Sequence, residues 1–187
     1  MSRKIILRVL LLAPFGLAGC GPLPRVAGQA AVRTELCAIE ERMLKVRGDS
    51  LTGLIDDGAV MKVALGYYKC HEVLRGDIVL YNYPGGDPLV KIAKGVPGDK
   101  LRLRKTRRGC WNILINGRVL KNSLKVPYCI GARESEMLAL YERGNNGVIP
   151  GNACLIMANL PGGSMDSTRF GLVGRADLLG RVLWQGR

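Results

Sequence analysis

From residue 48 onward, no apolar run in this chain extends far before a turn signal stops it. "AVMKVAL" (59–65), "GDIVLYNY" (76–83) and "PLVKIAKGV" (88–96) are bounded by glycine, proline and aspartate, the last two by "PGGDP" and "PGD". Short runs punctuated in this way read as strands, because amphipathic helices need longer periodic stretches free of Gly and Pro. "DKLRLRKT" (99–106) alternates apolar and basic residues, as a strand with one wet face does. "CWNILINGRVL" (110–120) places Asn116-Gly117 between apolar flanks, the pair that a tight hairpin turn prefers. "ACLIMANL" (153–160) reads as a late buried strand. The expected fold is therefore mainly β, with short antiparallel sheets and a small inserted section at about 118–150. Only "TELCAIEERMLKVR" (34–47) reads as one short helix, while "GARESEMLALYER" (131–143) fits a helix or an ordered loop.

The first residues are of a different kind. "MSRKIILRVLLLAPFGLAGC" puts Arg3, Lys4 and Arg8 ahead of a short apolar run and then small residues, the layout of an export signal and too short to span a bilayer comfortably. Its ending, Leu17-Ala18-Gly19-Cys20, resembles a bacterial lipobox, which would make Cys20 a lipid attachment site. Residues 21–43 read as a Pro/Gly/Ala-rich tether running into the short helix, and 44–187 as the functional domain. Export places that domain outside the cytoplasm, facing the periplasm or the outer side of the membrane, where disulfides form. With Cys20 lipidated, Cys37, Cys70, Cys110, Cys129 and Cys154 leave at least one thiol unpaired. Cys110 and Cys129 flank the expected hairpin and are the first pair to expect.

Charge and histidine content narrow the chemistry. Lys and Arg total 28 against 15 acids, a net charge of +13, which suits an anionic membrane surface or nucleic acid, or is simply a solvated basic face. The single histidine, His71, lies in a polar connector and reads as a surface residue. No cysteine pair has the C-x-x-C spacing of a zinc site, so no metal or cofactor is expected. A hydrolase built from this chain therefore needs a base other than histidine. Lys91 and Lys94 stand inside the apolar run 88–96. Burial disfavours a charged amine and lowers its pKa, so a lysine in an apolar strand is a candidate general base. The matching nucleophile would be a serine on a turn. Ser50 in "VRGDSLTGLIDDG" (46–58) follows Gly48-Asp49 and precedes apolar Leu51, and its backbone N–H is available for an oxyanion hole.

Taken in order, three blocks resemble the bacterial type I signal peptidases, serine peptidases that work with a Ser/Lys dyad. "VRGDSLTGLIDDG" is similar to the nucleophile box, with Ser50 as nucleophile. "RGDIVLYNYPGGDPLVKIAKGVPGD" resembles the lysine box, with Arg75-Gly76-Asp77, Lys91 as base and the turn Gly95, Pro97, Gly98 and Asp99; that turn fixes the register in favour of Lys91 over Lys94. "MANLPGGSMDSTRFG" resembles the last box, with Ser164, Asp166, Ser167, Phe170 and Gly171. The resemblance covers about 44–175, and the insert matches poorly. It implies that Ser164 holds the Lys91 amine, that Asp166 braces the last box, and that the substrate is an exported preprotein lying along a strand edge. Membrane contact would come through the N-terminal anchor, and no nucleic acid is implied.

The chain departs from that pattern at Gly48, Leu51, Gly53, Ile92, Ala158-Asn159 and Thr168, the last standing where the family carries an arginine, with Arg169 one place later. Gly48 leaves oxyanion support to the backbone. Two narrower readings remain open: a specialised conjugative-transfer peptidase maturing a pilin precursor, and a non-catalytic lipoprotein using a peptidase fold as a binding module.

Overall fold

The structure, a computed structural model, describes residues 38–183. The export signal, Cys20 and most of the tether lie outside the described residues. Ten strands run in chain order: β1 (Glu40–Lys45), β2 (Val60–Leu65), β3 (Ile78–Tyr81), β4 (Leu89–Gly95), β5 (Leu101–Lys105), β6 (Trp111–Ile115), β7 (Arg118–Val119), β8 (Ala153–Met157), β9 (Val173–Gly174) and β10 (Leu178–Leu183). They form a seven-stranded sheet in the order β1-β2-β10-β3-β4-β8-β9 and a three-stranded sheet β5-β6-β7. Every strand pairing is antiparallel. Two helices join them, α1 (Ala132–Arg143) in the insert and the single-turn α2 (Ser167–Phe170) in the last box. No helix among the described residues is long and apolar enough to cross a membrane.

The turns fall where the residue types require them. Asn116 (φ 51) and Gly117 (φ 77) both adopt the left-handed conformation, which is what a type I′ turn between β6 and β7 demands. Burial along β5 falls off from fully buried Leu101 through half-buried Arg102 and Leu103 to exposed Arg104 and Lys105, a gradient in place of the expected alternation. Gly180 lies at a register shift in β10, where an added Cβ would run into the Ala64 carbonyl and the Leu65 backbone of β2. Gly180→Ala should therefore force the central strands apart and cost about 1–3 kcal/mol, read as a lower urea midpoint with an unchanged m-value.

One expectation fails. Within the stretch read as a helix over 34–47, Glu40–Lys45 is strand β1, pairing with β2 from Glu40↔Leu65 to Lys45↔Val60. Its residues are fair helix formers, but the ladder along β2 satisfies its backbone groups, and Leu44 packs against the core cluster that holds Leu51. The seven-stranded sheet thus begins at Glu40, before residue 44. The segment left open at 131–143 is helical; α1 packs against β5 and α2 and buries Leu138 among Leu101, Ile113 and Leu155.

Cys110 and Cys129 form a disulfide, with Cα atoms 5.4 Å apart, beside the bridge between Trp111 and Ile130. Cys70 is disulfide-bonded as well, and Cys154 is a free, buried thiol. His71 is exposed, stacks on Tyr67 at 4.1 Å and contacts the Tyr67 carbonyl through Nδ1.

Candidate active site

Ser50 sits on the loop between β1 and β2, where the turn is closed by Thr52 N–H and Oγ1 donating to the Asp49 carbonyl (2.9 and 2.7 Å) and by Ile55 N–H donating to the Leu51 carbonyl (2.9 Å). Gly48 (φ +90) begins the turn, and its N–H donates to Asp57 Oδ1. Leu51, the next residue, is 1% exposed and packs in one core cluster with Ile55, Ile78, Leu80 and Ile92. Burying Leu51 leaves its neighbour Ser50 half-exposed.

Lys91 comes to it from β4. The C-terminal end of that strand is held by two carboxylates, Asp99 in the turn that follows it and Asp77 beside Ala93. Asp99, closing the Gly95–Asp99 turn, accepts from Arg75 (2.6 Å), Asn116 Nδ2 (2.8 Å) and the Val96 N–H (2.8 Å), and Arg75 also donates to the Lys94 carbonyl. Asp77 accepts from the Leu74 N–H and the Tyr68 hydroxyl and pairs with Arg181 at 3.0 Å. With that end held, Ile92 enters the same cluster as Leu51, and Lys91 stands opposite Val79. Its amine lies 3.0 Å from Ser50 Oγ and 3.0 Å from the Val90 carbonyl, and the residue is only 2% exposed. Thus the residues following Ser50 and Lys91 are packed together, which holds their polar neighbours at a fixed separation. Burial pushes the Lys91 amine below the usual lysine range, with Asp166 and then Asp49 pulling it partly back.

A stability consequence follows. Below the lowered pKa the folded and unfolded chains both carry the Lys91 proton, and the folded state bears the full cost of a buried charge. Stability rises with pH between the lowered value and the ordinary 10.5, because there only the unfolded chain binds the proton. Lys91→Met should therefore raise the unfolding free energy at neutral pH by about 0.5–2 kcal/mol. The gain should fade as the pH approaches 10, measured by thermal melts across that range.

Lys94 takes other partners. Its amine donates to the Lys121 carbonyl at 3.0 Å and lies 6.0 Å from the Tyr128 ring centre. Lys94 falls at the register shift between Ala93 and Gly95, so β4 is bulged there and strict alternation does not govern it. Burial lowers its pKa too, followed by repulsion from Lys125.

Asp166 is fully buried and caps α2: Oδ1 accepts from the Thr168 N–H (3.0 Å) and hydroxyl (2.7 Å), and Oδ2 accepts from the Ala158 N–H (3.0 Å). Thr168 therefore serves Asp166 with a hydroxyl, and Arg169 turns outward to Glu134 at 3.3 Å. Ser167 Oγ accepts from the Ile156 N–H, a second pin between the last box and β8. Ser164 is half-exposed and makes no hydrogen bond to the Lys91 amine among the described residues; Val90 supplies the amine's second acceptor. The pins on the last box lie at Asp166 and Ser167, and nothing comparable draws Ser164 inward.

Asn159 does what the sequence reading did not foresee. Its N–H donates to the Ser50 carbonyl (2.7 Å), and Nδ2 donates to the Thr52 carbonyl (2.9 Å) and Ser123 Oγ (2.7 Å). Its Oδ1 accepts from the Ser123 N–H, and its carbonyl accepts from Asn122 Nδ2. It thus ties the turn that carries Ser50 to both the last box and the insert. The signal was present only as a departure, Asn159 in the position of a usual aspartate.

A serine hydroxyl on a turn thus lies 3.0 Å from a buried amine on an antiparallel sheet. The family of signal peptidases, peptidase S26, matches residues 27–185, and the chain belongs to it. It is a serine endopeptidase of the signal peptidase I type. Signal peptidase IB of Staphylococcus aureus, in strains COL and Mu50, is 27% identical to it over 145 residues, covering 73% of each chain. The crystal structure of a signal peptidase I from Enterococcus faecalis V583 is 20% identical, with a TM-score of 0.38, covering 59% of this chain and 97% of that one.

Proposed function

We propose that this chain cleaves signal peptides or leaders from exported preproteins, with Ser50 as nucleophile and Lys91 as general base. The observation that carries the reading is the 3.0 Å contact between the Lys91 amine and Ser50 Oγ at a lysine that is nearly inaccessible to water. The neutral amine takes the Ser50 proton as Oγ attacks the scissile carbonyl. The backbone N–H of Ser50 stabilises the oxyanion. Collapse of that intermediate breaks the peptide bond, and the Lys91 ammonium gives its proton to the leaving amine. Lys91, neutral again, deprotonates the water that releases the acyl group. Asp166 braces the box behind the amine, and Val90 orients it. The test is cleavage of a preprotein at its leader boundary by the full chain, with loss on substituting either residue.

Membrane attachment through Cys20 accompanies this reading. Labelled palmitate should enter the wild-type chain and be absent from Cys20→Ala; incorporation that survives the substitution would sink the lipid anchor. A pilin precursor is the narrower substrate, which suits a single basic domain with an unusual anchor. Rescue of a signal-peptidase-depleted strain would instead assign the general housekeeping duty.

A further inference from the structure

The β5–β6 hairpin carries a feature the catalytic pair does not use. Arg104, Lys105, Arg107 and Arg108 cluster at its tip, all exposed, and none has an acidic partner among the described residues. Arg102, further down the same strand, is the last to meet an acid, Glu142 at 4.0 Å. The tip is held stiffly. Thr106 N–H and Oγ1 donate to the Cys110 carbonyl (2.8 and 3.1 Å), Gly109 N–H donates to the Thr106 carbonyl, and the Cys110–Cys129 disulfide ties it down. Half-buried Trp111 stands beside it, with the Lys105 amine 5.9 Å from its ring centre. The same disulfide links the tip to the active-site rim: Cys129 N–H donates to the Pro161 carbonyl (2.9 Å), at the start of the loop that carries Ser164 and exposed Met165.

We propose that this tip docks on anionic phospholipid headgroups, its four cations meeting phosphates and Trp111 lying at the interface. The proposal rests on the peptidase reading, because a leader emerging from a bilayer requires the catalytic rim to sit at a headgroup surface. Unpaired cations on an exposed turn suit a flat anionic layer better than a nucleic acid, which asks for a basic groove with free aromatic faces. Each cation near an anionic leaflet strengthens binding roughly fivefold, and the effect is screened by salt.

The test uses the full chain with Trp184→Phe, so that Trp111 is the only tryptophan left of the two. Vesicles of brominated phosphatidylcholine, with or without phosphatidylglycerol, report contact by quenching Trp111. The expected result is quenching that depends on phosphatidylglycerol and is lost at high salt. Arg107→Glu with Arg108→Glu should weaken that interaction at least about twentyfold and leave cleavage of a short soluble peptide unchanged. Equal quenching without phosphatidylglycerol, or quenching indifferent to the double substitution, overturns the proposal. So does tighter binding of a single-stranded oligonucleotide through the same arginines. Absence of peptide cleavage by the Trp184→Phe chain itself, with its quenching intact, would instead count against the peptidase reading alone.

Discussion

Ser50→Ala and Lys91→Met are each expected to lower the rate of leader cleavage by about 10³-fold or more, with thermal melts showing both variants folded. Ser50→Ala removes the oxygen proposed to attack while leaving the turn's backbone hydrogen bonds in place. Lys91→Met keeps a chain of similar reach in the same apolar site and removes only the amine. Because each residue acts through the other, the double variant should lose little more than either single one. The pH profile separates this reading from a structural role. Cleavage should rise with pH as Lys91 deprotonates, on a limb lying below the ordinary lysine value of 10.5 because burial lowers the amine's pKa. A Ser50→Ala or Lys91→Met variant with wild-type turnover would overturn the dyad assignment.

What the sequence made legible, and what it did not, divides along a physical line. Turn chemistry is local, so Asn116-Gly117 was readable, and with it the β6–β7 hairpin, whereas the choice of Lys91 over Lys94 came only from the resemblance to the family's lysine box. The Cys110–Cys129 pair followed from the same hairpin. β1 was misread because its strand state is conferred by β2, a partner that the local composition of Glu40–Lys45 does not announce. The bulge at Lys94 is equally non-local, since it arises from pairing with β8. Asn159 was read as a substitution in a motif. Its five hydrogen-bonding contacts join three segments distant in sequence, and no spacing rule reveals such a hub. Ser164 shows the reverse case, a motif position whose expected contact with the Lys91 amine is not made.

Asp166 is where stability and catalysis meet, and its replacement should show both. Asp166→Ala leaves the Ala158 and Thr168 N–H groups and the Thr168 hydroxyl without their acceptor in a fully buried site. Each orphaned buried donor costs on the order of 1–3 kcal/mol, so the loss should reach about 3 kcal/mol or more and appear as a clear fall in the urea midpoint. Asp166→Asn keeps Oδ1 for Thr168 but turns an NH₂ donor toward the Ala158 N–H, so it should fall between alanine and wild type. The asparagine variant also carries the cleaner catalytic test. Burial is the main force lowering the Lys91 pKa, and the Asp166 charge is the larger of the two that oppose it. Removing that charge with the side chain's size preserved should lower the Lys91 pKa further, so the rising limb of the pH–rate profile moves to lower pH while the enzyme becomes less stable. A limb that stays in place or moves upward would mean that Asp166 acts on the loop alone and not on the amine.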